Sequence, residues 1–385
     1  MKHFEYHQPT KIVFGSGRIS EAGEIVKTFG TRCLLVTTPA VPATAAQFVR
    51  VKEILLSSGV DVAHFDQVIP NPTTETSAVG AKMAREHRAE VIVGLGGGSS
   101  MDAAKAIAVE ATHEGSAWDY LFYKKEPTDN TLPVVAISTT SGTGSQVTQV
   151  SVITNMAERD KSALYHPQCF PKVCIVDPEL MLTVPKQVTA PTGFDVFCHA
   201  FESTINPGFG AYVELLAWEA ISIVADTLPA LLDDLQNLEA REKMAWADTL
   251  AGLCIASAGV TLPHGMGMAI GGMYPHVAHG ESLAIVYPAC TKFTYASAER
   301  QFSKMARILN PSLDGLSDQE AAKASVEEVE KLLKKVGLYK KLRDVNMPEK
   351  EIESLAKQCM VLPDYQGNPR VATEEEMVEL VRDSY

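Results

Sequence analysis

No dense run of lysine and arginine occurs in the sequence, and 47 acidic against 34 basic residues give a net charge of -13. A phosphate-backbone footprint is therefore missing, which excludes nucleic acid as a partner. No stretch approaches the roughly 20 apolar residues of a membrane span. The amino terminus, MKHFEYHQPTKIVFG, carries charges and histidines where a secretion signal would carry an apolar core. Cysteine is sparse: seven residues (33, 169, 174, 198, 254, 290, 359), odd in number, scattered, and without a CxxC pair. That excludes a disulfide framework and a thiolate zinc site, and a cytoplasmic protein with reduced thiols is expected. Internal repeats and low-complexity tracts are also absent. What remains, 46% hydrophobic and 21% charged over 385 residues, is a globular composition too long for one small core, so two domains are expected.

The first half alternates short β-branched runs with alanine-rich stretches. Strands are predicted at 33–37, 60–63, 91–94, 133–137 and 173–176, with helices at 43–57, 74–88 and 100–112. Such alternation means a parallel sheet covered on both faces. After Asp177-Pro178 the texture changes: 194–225, 229–260, 281–308, 318–336 and 348–360 read as helices, and 183–192 (TVPKQVTAPT) reads as a Pro/Thr-rich joint. The expected division is an α/β domain over 1–183 and an all-helical domain over 184–385.

Two polar loops leave strands of the first half. EVIVGLGGGSSMDAAK, residues 90–105, is a strand, a glycine cluster, and a helix opened by Ser99 or Ser100 with Asp102 in its first turn. Glycines admit a ligand close to the backbone, and the bared amides of a helix start make an anion site suited to a dinucleotide pyrophosphate. Gly94-x-Gly96-x-x-Ser99 nearly matches the dinucleotide fingerprint, but it follows the third strand and lacks the acidic residue about 20 positions on. A structural turn is the alternative. The second loop, Ser138-Thr139-Thr140-Ser141-Gly142-Thr143-Gly144-Ser145, adds hydroxyls at the carboxyl end of a neighbouring strand, where such sheets bind ligands.

In the second half GFDVFCHAFE, residues 193–202, sets Asp195 and His199 four apart within an apolar run. In a helix both point to one spot, and a buried carboxylate needs a partner. LPHGMGMAIGGMYPHVAHGE, residues 262–281, offers His264, His276 and His279. Three imidazoles and a carboxylate suit Fe²⁺, Zn²⁺, Mn²⁺ or Co²⁺ rather than calcium or magnesium. Two plainer readings compete: Thr192-x-x-Asp195 also spells a capping box, and a lone apolar-face histidine is usually core. His276 is the spare, read as a surface group or one supporting a ligand.

These residues resemble the iron-containing, or group III, alcohol dehydrogenases almost end to end. The resemblance rests on Pro70-Asn71-Pro72-Thr73, Gly96-Gly97-Gly98-Ser99 with Asp102 and Lys105, Thr139-Thr140-x-Gly142-Thr143, Thr192-Gly193-x-Asp195-x-x-x-His199, the two His-Gly dipeptides, and Gly367-Asn368-Pro369-Arg370. It implies a dehydroquinate synthase-like fold, with an N-terminal dinucleotide domain and a helical metal domain. NAD(P) and a divalent metal, iron first, would convert a small alcohol or aldehyde in a homodimer or higher homo-oligomer. Asp195, His199, His264 and His279 would be the catalytic metal ligands. Asn71, Gly97, Gly98, Ser99, Asp102, Thr139, Thr140, Thr148 and Lys161 would line the cofactor.

Two departures stand out. Where many members carry a further histidine near the nicotinamide this chain has Met268, so a proton relay through that position is not expected. Where NAD-preferring members often place an aspartate, Thr38 stands, which leaves NAD(P) as the coenzyme. A glycerol dehydrogenase-like polyol oxidoreductase is the near alternative. A dehydroquinate synthase-like lyase would need a Lys/Arg cluster that 255–285 lacks, and a scaffolding protein would have no use for two cofactor-type sites.

Overall fold

The computed structural model describes residues 3–385. They form two compact units, one of 7–185 with 235–245, the other of 3–6, 186–234 and 246–385.

The first unit is built on eight strands: β1 (Lys11–Phe14), β2 (Arg32–Val36), β3 (Asp61–Phe65), β4 (Val91–Gly96), β5 (Val134–Ser138), β6 (Val150–Asn155), β7 (Asp160–Tyr165) and β8 (Val173–Val176). Six form a sheet in the order β1-β8-β5-β4-β2-β3, every pair parallel. Helices α1 (Ala22–Lys27), α2 (Ala45–Ser57), α3 (Thr74–His87) and α4 (Gly98–Glu110) supply the crossovers. The near-continuous apolar runs of the strands reflect burial on both faces. Cys33, Leu35, Val93, Val135 and Ile175 pack with Val26, Phe48 and Leu55. Leu34, Val36, Ile92 and Val134 pack with Ala84, Ala104 and Ile107 from α3 and α4. The chain reverses its direction across the sheet between β2 and β4, the place where doubly wound sheets bind ligands beyond the strand ends.

All five predicted strands and the three predicted helices of this half are present. Three features were not foreseen: the four-residue β1, the short helix α1 and the antiparallel hairpin β6–β7. The hairpin is anchored by Thr154 N–H donating to Pro72 O at 2.9 Å.

The second unit is helical: α5 (Lys186–Ile205), α6 (Ala211–Asp233), α7 (Leu238–Ala258, whose first turns group with the first unit), α8 (Leu262–Met273), α9 (His279–Thr294), α10 (Glu299–Leu309), α11 (Asp318–Lys335), α12 (Ile352–Gln358) and α13 (Glu374–Asp383). The helix expected over 194–225 is two, broken at Asn206-Pro207-Gly208. The one expected over 281–308 is also two. The boundary between the two units falls within the stretch 183–192, at Pro185 and Lys186, but from Lys186 that stretch is helical: it opens α5, with Pro191 inside. Thr192 is no cap, because its hydroxyl donates back to Val188 O at 2.8 Å within that helix. α8 escaped notice because its four glycines read as loop, yet Gly267 lets it lie against Leu283 and Ser282 of α9.

One exclusion drawn from the sequence needs correction. By length and composition α6 could cross a membrane, with 56% of its most apolar window buried. It packs on α5 and α10 as a core helix of this unit.

Candidate active site

α5 is apolar nearly all round and is buried over most of its length. On one side Phe194, Phe197 and Phe201 stack at centroid separations of 5.7 and 6.3 Å. On another, Asp195, His199 and Glu202, at i, i+4 and i+7, form a polar stripe. α8 adds His264 in its first turn, and α9 begins with His279.

The three imidazoles converge on one oxygen. Asp195 Oδ1 lies 3.6 Å from His199 Nε2, 3.4 Å from His264 Nε2 and 4.0 Å from His279 Nε2. Asp195, His199 and His264, all buried, bring one ligand atom each within 4.8 Å of one another. His279 is half-buried, its ring edge-on to His264 at 5.4 Å. These separations suit atoms sharing one cation with bonds of about 2.1 Å.

Asp195 Oδ1 and His264 Nε2 are buried without a hydrogen-bond partner, an expense that a shared cation removes. Burial alone would push the Asp195 carboxyl up, but His199, His279 and His264 outweigh it and hold it far below the usual carboxylate range. Burial pushes His264 down, yet Glu202 and Asp195 prevail and raise it to about 10. The donor set fits a divalent transition metal.

Of the two His-Gly dipeptides, His279-Gly280 has a packing reason. A Cβ on Gly280 would sit 2.0 Å from Pro191 O, so only glycine lets the start of α9 approach α5 and present His279. A Cβ on Gly265 would make only ordinary contact, 3.4 Å from Asp364 Cβ. Burial raises the half-buried Asp364 carboxyl, and the nearby His264 charge partly offsets this. His276 is exposed and bonds to Val345 O at 3.0 Å, apart from the cluster. Glu202, wholly buried, was missed by the sequence reading, although its i+7 spacing from Asp195 placed it on the same stripe.

In the first unit the two polar loops touch. A Cβ on Gly97 would lie 3.0 Å from Thr140 Oγ1, and one on Gly98 would lie 2.6 Å from Thr143 Cγ2. Gly97 precedes α4 as its N-cap, leaving the first amides of that helix available to an anion. Asn71, at a left-handed φ of 55°, accepts from Lys161 Nζ at 2.8 Å, which ties its loop to the hairpin.

Asp102 and Lys105 face inward. Lys105 is fully buried and donates to Ser145 O (2.7 Å), Ser145 Oγ (2.8 Å) and Val150 O (2.6 Å). Asp102 accepts from Ser145 Oγ at 2.6 Å. The pair fastens the segment bearing Thr148, which lies 3.5 Å from Lys105 Nζ. Thr139 is buried; Thr140, Ser99 and Thr38 are half-buried.

Residues 9–178 match the model of the family described as iron-containing alcohol dehydrogenase, and residues 189–385 match the C-terminal part of the same family. The chain belongs to the iron-containing alcohol dehydrogenase family. It is 33% identical over 385 residues to 1,3-propanediol dehydrogenase of Citrobacter freundii, covering 99% of each chain. It is 31% identical over 378 residues to NAD-dependent methanol dehydrogenase of Bacillus methanolicus, covering 98% of each. A single-residue mutant of an archaeal halo-thermophilic Red Sea brine pool alcohol dehydrogenase superposes with a TM-score of 0.96 at 34% identity, over 100% of both chains. Like other iron-containing alcohol dehydrogenases, this chain is an NAD-dependent oxidoreductase that interconverts alcohol and aldehyde.

Proposed function

We propose that Asp195, His199, His264 and His279 hold one divalent cation, iron first, and that the loops carrying Asn71, Gly97, Gly98, Ser99, Thr139, Thr140, Thr148 and Lys161 receive the dinucleotide. The substrate is a small alcohol or its aldehyde. The convergence of three imidazole nitrogens on Asp195 Oδ1 carries this reading.

When bound, the metal supplies Lewis acidity toward the substrate oxygen, and the nicotinamide supplies or accepts the hydride. The chain's own residues do the placing. Asp195 contributes the negative charge, and the α5 stripe fixes it against His199 by helical spacing. Gly97 and Gly98 clear space for a pyrophosphate at the start of α4. Lys105 and Asp102 support the segment around Thr148 from behind, so Asp102 contributes through Ser145. Thr38, at the end of β2, brings no carboxylate against a 2′-phosphate, which supports use of NADPH beside NADH. A proton path through position 268 is closed by Met268, and His276 is engaged at the surface with Val345. Seven buried free thiols agree with a reducing compartment, the cytoplasm, and we place the enzyme there as a homo-oligomer.

The test is a metal-resolved assay. Stripped protein restored separately with Fe²⁺, Zn²⁺, Mn²⁺ or Co²⁺ should regain aldehyde-dependent NADH oxidation, and His199→Ala should lose metal and activity while still binding NADH. Full turnover by thoroughly chelated protein would overturn the reading.

A further inference from the structure

We infer that Glu202 is the positioning residue that makes His264 a metal ligand, by dictating which of its two nitrogens carries the proton. The inference rests on the proposed metal site.

The carboxylate of Glu202 is completely buried and both its oxygens are engaged by residues at the start of α8. Oε1 stands 2.7 Å from His264 Nδ1. Oε2 accepts from Thr261 N–H at 2.9 Å and from Thr261 Oγ1 at 3.2 Å. A carboxylate can only accept here, so Nδ1 must be the protonated nitrogen. In neutral His264 the lone pair is then left on Nε2, the atom 3.4 Å from Asp195 Oδ1. A ligating histidine held in this way by a carboxylate is both oriented and made more basic.

Thr261 is the N-cap residue of α8, but its side chain makes no capping bond to that helix. Its hydroxyl and amide go to Glu202 instead. One side chain of α5 thus sets both the start of α8 and the proton of its first-turn histidine. With a cation on the three imidazole nitrogens in place of any proton there, Asp195 and Glu202 would bring two carboxylates to balance its two positive charges.

Glutamine cannot replace Glu202 without conflict. Its single carbonyl oxygen can serve His264 or Thr261, not both. If the amide NH₂ faces Thr261 N–H, two donors collide. If it faces His264, Nδ1 must become the acceptor, the proton moves to Nε2, and the ligand lone pair is lost.

The test measures Co²⁺ binding to full-length protein against a competing chelator, with NADH binding measured in parallel. Glu202→Gln should raise the Co²⁺ dissociation constant about 10- to 100-fold and leave NADH affinity within twofold. Thr261→Val removes only the hydroxyl bond, and its Co²⁺ affinity should stay within about threefold of wild type. Equal Co²⁺ affinity in Glu202→Gln and wild type overturns the inference, as does a Thr261→Val loss as large as that of Glu202→Gln. If Glu202→Gln does not fold, ¹⁵N-histidine spectra of Zn²⁺-loaded wild type decide. A proton on His264 Nδ1 supports the inference, and one on Nε2 refutes it. Wild-type protein that takes up no Co²⁺ overturns the metal assignment itself, whereas uptake unaffected by Glu202→Gln overturns the role of Glu202 alone.

Discussion

Gly280→Ala is a one-carbon change away from every ligand atom, and it should damage the metal centre. The added Cβ would lie 2.0 Å from Pro191 O and 2.5 Å from its carbonyl carbon, whereas ordinary contact begins at 3.4 Å. The backbones of α9 and α5 would have to part by about 1.4 Å in a close-packed interior. Overpacking of this kind costs about 1–3 kcal/mol, here at the upper end because both sides are backbone. The better helix propensity of alanine returns up to about 1 kcal/mol. A net loss of about 2 kcal/mol in a unit of this size lowers the melting temperature by about 4–8 °C. His279 moves with α9, so Co²⁺ affinity should fall about tenfold or more. Gly267→Ala meets only the mobile end of Leu283 at 2.8 Å and Ser282 Oγ at 3.2 Å, and should lose less. Gly315→Ala meets nothing within 4 Å and should change neither quantity. Thermal unfolding and chelator competition across the three variants check the ordering. A Gly280→Ala protein with wild-type melting temperature and Co²⁺ affinity would refute the argument that glycine is needed for helix approach.

Lys105→Met removes the donor to the Ser145 and Val150 carbonyls and the cation 3.9 Å from the buried Asp102 carboxylate, and urea unfolding should show a loss of about 3–5 kcal/mol with weakened NADH binding; a loss below about 1 kcal/mol would contradict the role given to this amine. Gly97→Val pushes against Thr140 and should raise the NADH dissociation constant at least tenfold by fluorescence titration while metal content stays at the wild-type level. Burial raises the Glu110 carboxyl from its ordinary 4.5 to about 7. Its raised value favours the fold fully below about pH 4.5, and that contribution is lost as pH rises through 7. Glu110→Gln should therefore flatten the decline in melting temperature between pH 5 and 8, and an unchanged slope would count against it.

Much of this architecture was legible because periodicity and burial agree. Ile92 and Val93, or Leu34 and Leu35, are apolar on both faces because both faces are covered, and that is the signature of an interior parallel strand. The Asp195–His199 pair was legible because helix geometry makes i and i+4 coincide. What stayed hidden depends on long-range packing. Pro191 reads as a breaker, yet it sits in α5 because neighbouring helices cover that turn, and the glycines of α8 read as loop until the approach to α9 gives them a use. Asp102 and Lys105 sit in a glycine-loop motif that invites a ligand reading, while their partners, Ser145 and the first residue of β6, Val150, lie 40 or more residues further along the chain. Glu202 looked like one more helix acid because nothing local announces that His264 and Thr261, from another helix, close on it.

The central claim is that Asp195, His199, His264 and His279 share one divalent cation. Anomalous diffraction from crystals of Fe²⁺- or Co²⁺-loaded protein, collected across the metal edge, tests it most directly. The account predicts a single strong peak within about 2.0–2.2 Å of Asp195 Oδ1 and the three Nε2 atoms. A peak elsewhere, or none in fully active crystals, would contradict it.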